Sequence, residues 1–388
     1  MGAVVESSTL TPPETSTSAK PEGPVTPEVN TQPSLGARLL GQLAILIFTI
    51  LVMALALEIF LRIDFYHSKD FSMEMWKYAV RLKHPVANPQ LSFQHVPNGH
   101  SFLMGVDVKI NSQGLRDDEY PFQKAPGTYR VLMLGDSTTF GWGVRHEDTA
   151  AKFLEHKLNA NLPPGYNKAE VIDAGVGNYD TVQEVTYYET QGKAFNPDLV
   201  VLVFFINDPE PVPIEHKGLL IDSSYLIAFT TNRFDGLLRR TGKRPDWKQY
   251  YSSLYDDDKP GFQACKQALH SLAASTRVNG SQVLVALLPE LHQINGDTYP
   301  FKAAHQKIEG VLASDKTPSL ELIDGLKDHG PEETLFVTPQ DDHPNAKAND
   351  LISDQIQHWI RQNLAEQNRP QQNQAQANPS ADGSSQRQ

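Results

Sequence analysis

The chain has 388 residues and a net charge of -12, from 34 basic and 46 acidic side chains. No basic block or basic-aromatic stripe interrupts that acidic balance, which argues against a nucleic-acid partner. The single cysteine, Cys265, rules out an intrachain disulfide and a cysteine-built zinc site, and its helical-looking surroundings, Phe262-Gln263-Ala264-Cys265-Lys266, predict a packed thiol.

Residues 1–37 are rich in Pro, Ser, Thr and Glu and poor in large apolar side chains. Such a segment cannot bury enough surface to offset its ordering entropy, so disorder is expected. Met1-Gly2 followed by Glu6 misses the myristoylation pattern. From Leu39 to Leu57, 19 residues pass without a charge. A helix of that length matches the ~30 Å hydrocarbon core of a bilayer, and a single transmembrane helix is expected over 38–63, meeting lipid through residues 39–57. Ala54-Leu55-Ala56 resembles a signal-peptide cleavage site, but the leader is long and lacks a basic cluster, which favours an uncleaved anchor. Lys20 and Arg38 on one side against Arg62, Lys69 and Lys77 on the other lean slightly toward a cytoplasmic placement of the domain C-terminal to the helix.

Residues 64–129 read as a β-rich connector. Its clearest strand is Val106-Asp107-Val108-Lys109-Ile110, alternating with period two, with the turn Asn111-Ser112-Gln113-Gly114 after it. From 130 to 364, apolar runs at Val131–Leu134, Val171–Ile172, Leu199–Phe205, Val283–Leu288 and Leu320–Ile323 are separated by helical patterns such as Thr149–Leu158, Thr181–Lys193 and Phe262–Ala274. Five short strands between helices predict a five-stranded parallel sheet covered on both faces, a flavodoxin-like three-layer α/β/α sandwich. The aromatic-rich stretch 209–260 is too long for a plain connection and reads either as a lid or as a docked surface insertion. The tail 365–388, rich in Gln, Asn, Pro and Ser, is expected to be disordered.

The chemistry-bearing residues fall at strand ends. Ser137 comes just after the first apolar strand in Gly135-Asp136-Ser137-Thr138-Thr139; alone it could cap a helix or cradle a phosphate. A serine hydroxyl needs a base to become a nucleophile, and the imidazole of His343 has a suitable pKa. Asp341 or Asp342 could orient that imidazole. Asn207, after the most apolar strand, and the Gly175-Val176-Gly177-Asn178-Tyr179 segment could supply donors to an oxyanion. Leu288-Pro289-Glu290-Leu291-His292 ends near the same crevice; Glu290 and His292 could shape substrate binding or form a structural pair. Asp180 and Arg145 have no assigned role.

Taken together these segments resemble the SGNH (GDSL-type) hydrolase family in its membrane-anchored bacterial branch. Gly135-Asp136-Ser137 matches the first block, which implies Ser137 as nucleophile with its backbone N–H in the oxyanion hole. Asn207-Asp208 matches the third, with Asn207 as oxyanion donor. Asp341-x-His343-Pro344-Asn345 matches the last, with His343 as base. The spacing of that branch selects Asp341 as the orienting acid, while Asp342 would point away or cap the next helix. The second block usually offers glycine as a donor. Here Asn178 takes that column beside Gly177, so either could donate. Phe205 stands where the third block usually has glycine and would narrow the pocket.

The resemblance implies an acyl-ester hydrolase, acting on O-acetyl esters through an acyl-serine intermediate without metal or organic cofactor. It also implies a single-pass inner-membrane protein whose catalytic domain is extracytoplasmic and whose substrate is an envelope polysaccharide. A polysaccharide O-acyltransferase would use the same triad, and an inactive membrane-anchored binding module would have no need of it.

Overall fold

A computed structural model of the chain describes residues 34–212, 218–241, 246–296 and 298–377. Residues 1–33 and 378–388, for which disorder was expected, lie outside the described residues. The chain divides into two compact units, Met1–Ala54 and Leu55–Gln388. The boundary falls inside helix α1 (Leu35–Asp64), which is 30 residues long and apolar enough to cross a membrane, with none of its apolar window buried.

Everything else belongs to the second unit. The end of α1 is tied down there: Glu58 accepts hydrogen bonds from Ser224 Oγ (2.9 Å) and the Leu226 N–H (2.8 Å), and Leu61 and Phe65 join a small apolar cluster with Met73, Trp76, Tyr225 and Ala228.

The segment 64–129, expected to be β-rich, also contains a helix. This helix, α2 (Phe71–Leu82), is capped by Asp70, whose side chain accepts from the Met73 N–H (3.1 Å). Two hairpins come next, β1 (Lys83–Pro85) with β2 (Phe93–His95), and β3 (His100–Leu103) with β4 (Val106–Lys109). The expected alternation holds: Val108 and Ile110 are buried while Asp107 and Lys109 are exposed. Asn111 Oδ1 closes the next turn by accepting from the Gln113 and Leu115 N–H groups, both at 2.9 Å.

The core is the expected parallel sheet. Its strands are β5 (Thr128–Leu134), β6 (Lys168–Asp173), β7 (Leu199–Phe204), β8 (Gln282–Leu287) and β9 (Ser319–Glu321), in the order β6-β5-β7-β8-β9. Between β5 and β6 lie α3 (Ser137–Phe140) and α4 (Ala150–Ala160); α5 (Thr181–Thr190) precedes β7. The insertion carries α6 (Leu219–Ser223), α7 (Tyr225–Arg240) and α8 (Trp247–Leu254), and α9 (Pro260–Asn279) leads into β8. Then come α10 (Lys302–Ser314), the short pair β10 (Phe336–Thr338) and β11 (Asp341–Pro344), and α11 (Ala346–Ala377).

Because side chains alternate across a strand, each central strand feeds two cores. Leu132, Leu134, Val200, Leu202 and Phe204 pack with α5, α9 and α10; Val131, Met133, Val201 and Val203 pack with Leu154 and Leu158 of α4 and Ile352, Ile356 and Ile360 of α11. Cys265 is fully buried in the first core, as expected of a packed thiol. Every residue of β5 is buried, including Arg130, whose guanidinium is held by Glu170 (2.9 and 2.6 Å) and the Phe195 carbonyl (2.6 Å). Such pairing keeps the charge from being stranded in the interior.

One expectation changes, and one of two alternatives is found. The backbone stays helical to Ala377, past the point where the tail was expected to lose structure. The insertion is docked: Tyr225 lies against Trp76, and the Tyr255 hydroxyl donates to the Ile206 carbonyl (3.0 Å).

Candidate active site

The site forms at the carboxyl ends of β5 and β7, where β5 turns abruptly into α3. Glycine is required nearby for close approach: a Cβ on Gly175 would sit 2.2 Å from the Phe140 nitrogen. Asp136 caps the turn, its Oδ1 accepting from the Thr138 N–H (2.7 Å) and hydroxyl (2.8 Å). Burial raises the Asp136 pKa, while those bonds, the charge of His343 and a side-chain hydrogen bond from Asn207 pull the other way. Arg116 secures the turn from behind, donating to the carbonyls of Phe140 (2.9 Å), Gly141 (2.5 Å) and Val144 (2.6 Å).

Ser137 opens α3, and its Oγ lies 2.8 Å from His343 Nε2. His343 Nδ1 lies 2.6 Å from Asp341 Oδ1. The second carboxylate oxygen of Asp341 accepts from Trp142 Nε1 at 3.0 Å. With a carboxylate on Nδ1, the imidazole carries its proton there and offers a bare Nε2 to the serine hydroxyl. Asp341 and His343 share one face of β11 because they are two residues apart on a strand, which sends Asp342 to the other face. Burial lowers the His343 pKa, yet the hydrogen bond and charge of Asp341 outweigh it and hold it above the ordinary 6.5. The relay can therefore take the serine proton during attack and return it to a leaving alcohol.

Asp342 neither points idly away nor caps α11; Asn345 does the capping, accepting from the Lys347 (3.0 Å) and Ala348 (3.1 Å) N–H groups. Asp342 lies 3.6 Å from His292 Nδ1, which also hydrogen-bonds Glu290. The Asp342 carboxylate leads in raising the His292 pKa to about 9, and burial beside Asp342 raises Glu290 to about 8. The three groups offer ligand atoms within 4.8 Å of one another, a spacing suited to a cation, which the His292 imidazolium already supplies.

The donor candidates divide. Asn207 and Asn178 both line a cleft of about 430 Å³, together with Trp76, Lys83, Asp180 and Glu210. Asn178 adopts the left-handed conformation (φ 66°), which asparagine tolerates well. Among the described residues nothing accepts from its N–H. The Gly177 N–H, the other candidate, is already engaged, donating to the Tyr78 hydroxyl at 2.9 Å. Phe205 is packed between the two sheet cores and does not line the cleft. Asp180 caps α5, and burial raises its pKa to about 7; Arg145 pairs with Asp148 on the surface.

The sequence reading missed the contribution of 64–129. Phe71 stacks 5.6 Å from the His343 ring, and Tyr78 and Lys83 reach the Gly177-Asn178 turn. The signal was present as Asp70 capping Phe71-Ser72-Met73-Glu74. Trp142 was also legible as an indole beside the serine turn in need of an acceptor.

A family model described as "GDSL-like Lipase/Acylhydrolase family" matches residues 133–351. The chain belongs to this family and is a hydrolase acting on ester bonds. A comparison with curated protein sequences returns no match. Among solved structures, TesA is similar at 18% identity and a TM-score of 0.38, covering 58% of this chain and 95% of its own. A lipase/acylhydrolase from Enterococcus faecalis is similar at 14% and 0.38, covering 61% and 96%. A catalytic mutant of Axe2, an acetylxylan esterase from Geobacillus stearothermophilus, is similar at 13% and 0.39, covering 59% and 92%.

Proposed function

We propose that the chain is a membrane-anchored serine esterase that removes O-acetyl groups from an envelope polysaccharide, with Ser137 as nucleophile, His343 as base and Asp341 as orienting acid. The observation that carries this is the unbroken relay Ser137 Oγ–His343 Nε2 (2.8 Å) and His343 Nδ1–Asp341 Oδ1 (2.6 Å). Ser137 Oγ attacks the acyl carbon as its proton passes to His343 Nε2. The backbone N–H groups of Ser137 and Asn178 and the Asn207 amide receive the oxyanion. Collapse expels the sugar hydroxyl, protonated by His343, and leaves an acyl-serine. His343 then takes a proton from water as the water attacks the acyl carbon; the acyl–Oγ bond breaks, His343 returns the proton to Ser137 Oγ, and acetate leaves. The cleft beside the two asparagines mixes polar residues (Lys83, His84, Asp180, Glu210) with apolar ones (Met75, Trp76, Val80, Phe93), a lining that can meet both the hydroxyls and the apolar faces of an acetylated sugar. Helix α1 supplies the anchor, 64–129 and 130–364 act together outside the membrane, and the docked 209–260 insertion contributes Glu210 and Asp222 to the cleft wall.

The test uses the full chain in detergent, with p-nitrophenyl acetate and an acetylated glycan, each with and without free acceptor sugar. A burst of p-nitrophenol that Ser137→Ala reduces at least about 10⁴-fold is expected. Equal turnover by the variant refutes the serine mechanism, and transfer to the sugar in preference to water makes the enzyme an acyltransferase.

A further inference from the structure

We infer that Lys83 is a positioning residue for the reaction, acting through Asn178. The inference rests on the proposed role of the Asn178 N–H as an oxyanion donor. A donor of that kind is effective only if its direction is fixed before the charge develops. Asn178 is an exposed residue in a left-handed conformation at the tip of a loop, a placement that by itself invites motion. Two latches from the 64–129 segment remove that freedom.

The first latch is a chain of hydrogen bonds whose directions can be assigned. His95 lies 3.0 Å through Nδ1 from the Gly114 carbonyl and 2.6 Å through Nε2 from the Tyr78 hydroxyl. Burial pushes the His95 pKa down to about 3, so the ring is neutral. A carbonyl only accepts, so Nδ1 carries the proton and Nε2 accepts from Tyr78. The Tyr78 oxygen is then the acceptor for the Gly177 N–H. The Tyr78 ring also leaves no room for a side chain at 177, since a Cβ there would lie 2.7 Å from it.

The second latch is Lys83 itself. Its ammonium donates to Asn178 Oδ1 at 3.0 Å and lies over the rings of Tyr78 (4.7 Å) and Phe93 (4.1 Å). The residue is 7% exposed, so its stem is held by packing and its head has little freedom. The asparagine side chain thus does what a glycine in that column could not: it gives the protein a handle on the turn. Lys83 binds the handle, and the N–H of Asn178 itself is the proposed oxyanion donor.

The test is a double-mutant cycle on full-length enzyme, read as kcat and KM for p-nitrophenyl acetate. Lys83→Met keeps most of the stem and removes the donor; Asn178→Gly removes the handle but permits the same backbone conformation. Lys83→Met is expected to lower kcat about tenfold, a fraction of what losing a whole oxyanion donor costs, with KM within about twofold. In the Asn178→Gly background the same substitution is expected to change kcat less than about twofold. Lys83→Gln, which keeps a hydrogen-bond donor, separates lost positioning from lost folding: it is expected to retain more activity than Lys83→Met at similar thermal stability. An unchanged kcat in Lys83→Met overturns the inference. So does an undiminished effect in the Asn178→Gly background, which would put Lys83 on the substrate directly. Activity that survives Ser137→Ala would overturn the site assignment and the latch with it. Dependence on Ser137 combined with indifference to Lys83 would overturn the latch alone.

Discussion

Asp341→Asn is expected to lower kcat by about 10⁴, and part of the reason lies in the indole on its far side. Asp341 Oδ1 accepts from His343 Nδ1 (2.6 Å) and, more weakly, from the His343 N–H (3.3 Å), while Oδ2 accepts from Trp142 Nε1 (3.0 Å). An asparagine must choose. Turning its NH₂ toward His343 gives up the long backbone bond, at about 0.5–1 kcal/mol. Turning it toward Trp142 sets donor against donor in the interior, at about 1–3 kcal/mol. A margin of roughly 1 kcal/mol would still leave about one molecule in six productive, so most of the expected loss comes from removing the negative charge beside the imidazolium; the first arrangement is nevertheless the favoured one. It makes His343 Nδ1 an acceptor and moves the imidazole proton to Nε2, facing Ser137, where it cannot accept the serine proton. In the serine-protease case the equivalent error costs about 10⁴ in rate, or about 5.5 kcal/mol. Burst kinetics with p-nitrophenyl acetate would measure it. Adding Trp142→Phe removes the force that orients the amide and is expected to recover up to about fivefold. A loss below tenfold for Asp341→Asn, or a larger loss for Asp342→Asn, would refute the reasoning.

Two expectations concern pH. The His343 pKa lies above 6.5, and the base must be neutral, so kcat/KM is expected to rise with pH through a midpoint above 6.5; a midpoint at or below that value would contradict it. In stability the sign is opposite: the stabilisation from the Asp341–His343 pair is complete below 6.5 and fades as pH climbs through the raised value. Glu184 is buried with neither carboxylate oxygen hydrogen-bonded, and burial, reinforced by Asp208, Asp136 and Asp180, raises its pKa well above 4.5. The folded state then keeps a proton that the unfolded chain releases, so stability falls as pH rises from about 4.5 toward the raised value. Glu184→Gln is expected to raise the melting temperature more at pH 8 than at pH 5, and an equal gain at both would place the carboxyl in its ordinary range.

The sheet was legible because buried parallel strands read as unbroken apolar runs, and β5, β7 and β8 do so. The relay was legible too, since its three members are reactive types at strand ends. Choosing Asp341 over Asp342 needed only the knowledge that 341–344 is a strand. What could not be read was the work of 64–129. Helix α2 binds partners far along the chain, Trp76 to Ile221 and Tyr78 to Gly177, and tertiary contacts of that range leave little periodic trace. The Gly177-Asn178 ambiguity had the same origin, because the residue that engages the Gly177 N–H is Tyr78, 99 positions earlier.

The sequence distance between Ser137 and His343 has a consequence in time. They are separated by 206 positions, and at ribosomal rates of about 5–20 residues per second the proposed nucleophile exists for roughly 10–40 s before its proposed base has been made. Tyr78 and Lys83 are synthesised earlier still, before the turn they hold. The nascent chain therefore carries a serine with no partner until β11 arrives. On the proposed mechanism, hydrolytic power waits on the synthesis of β11.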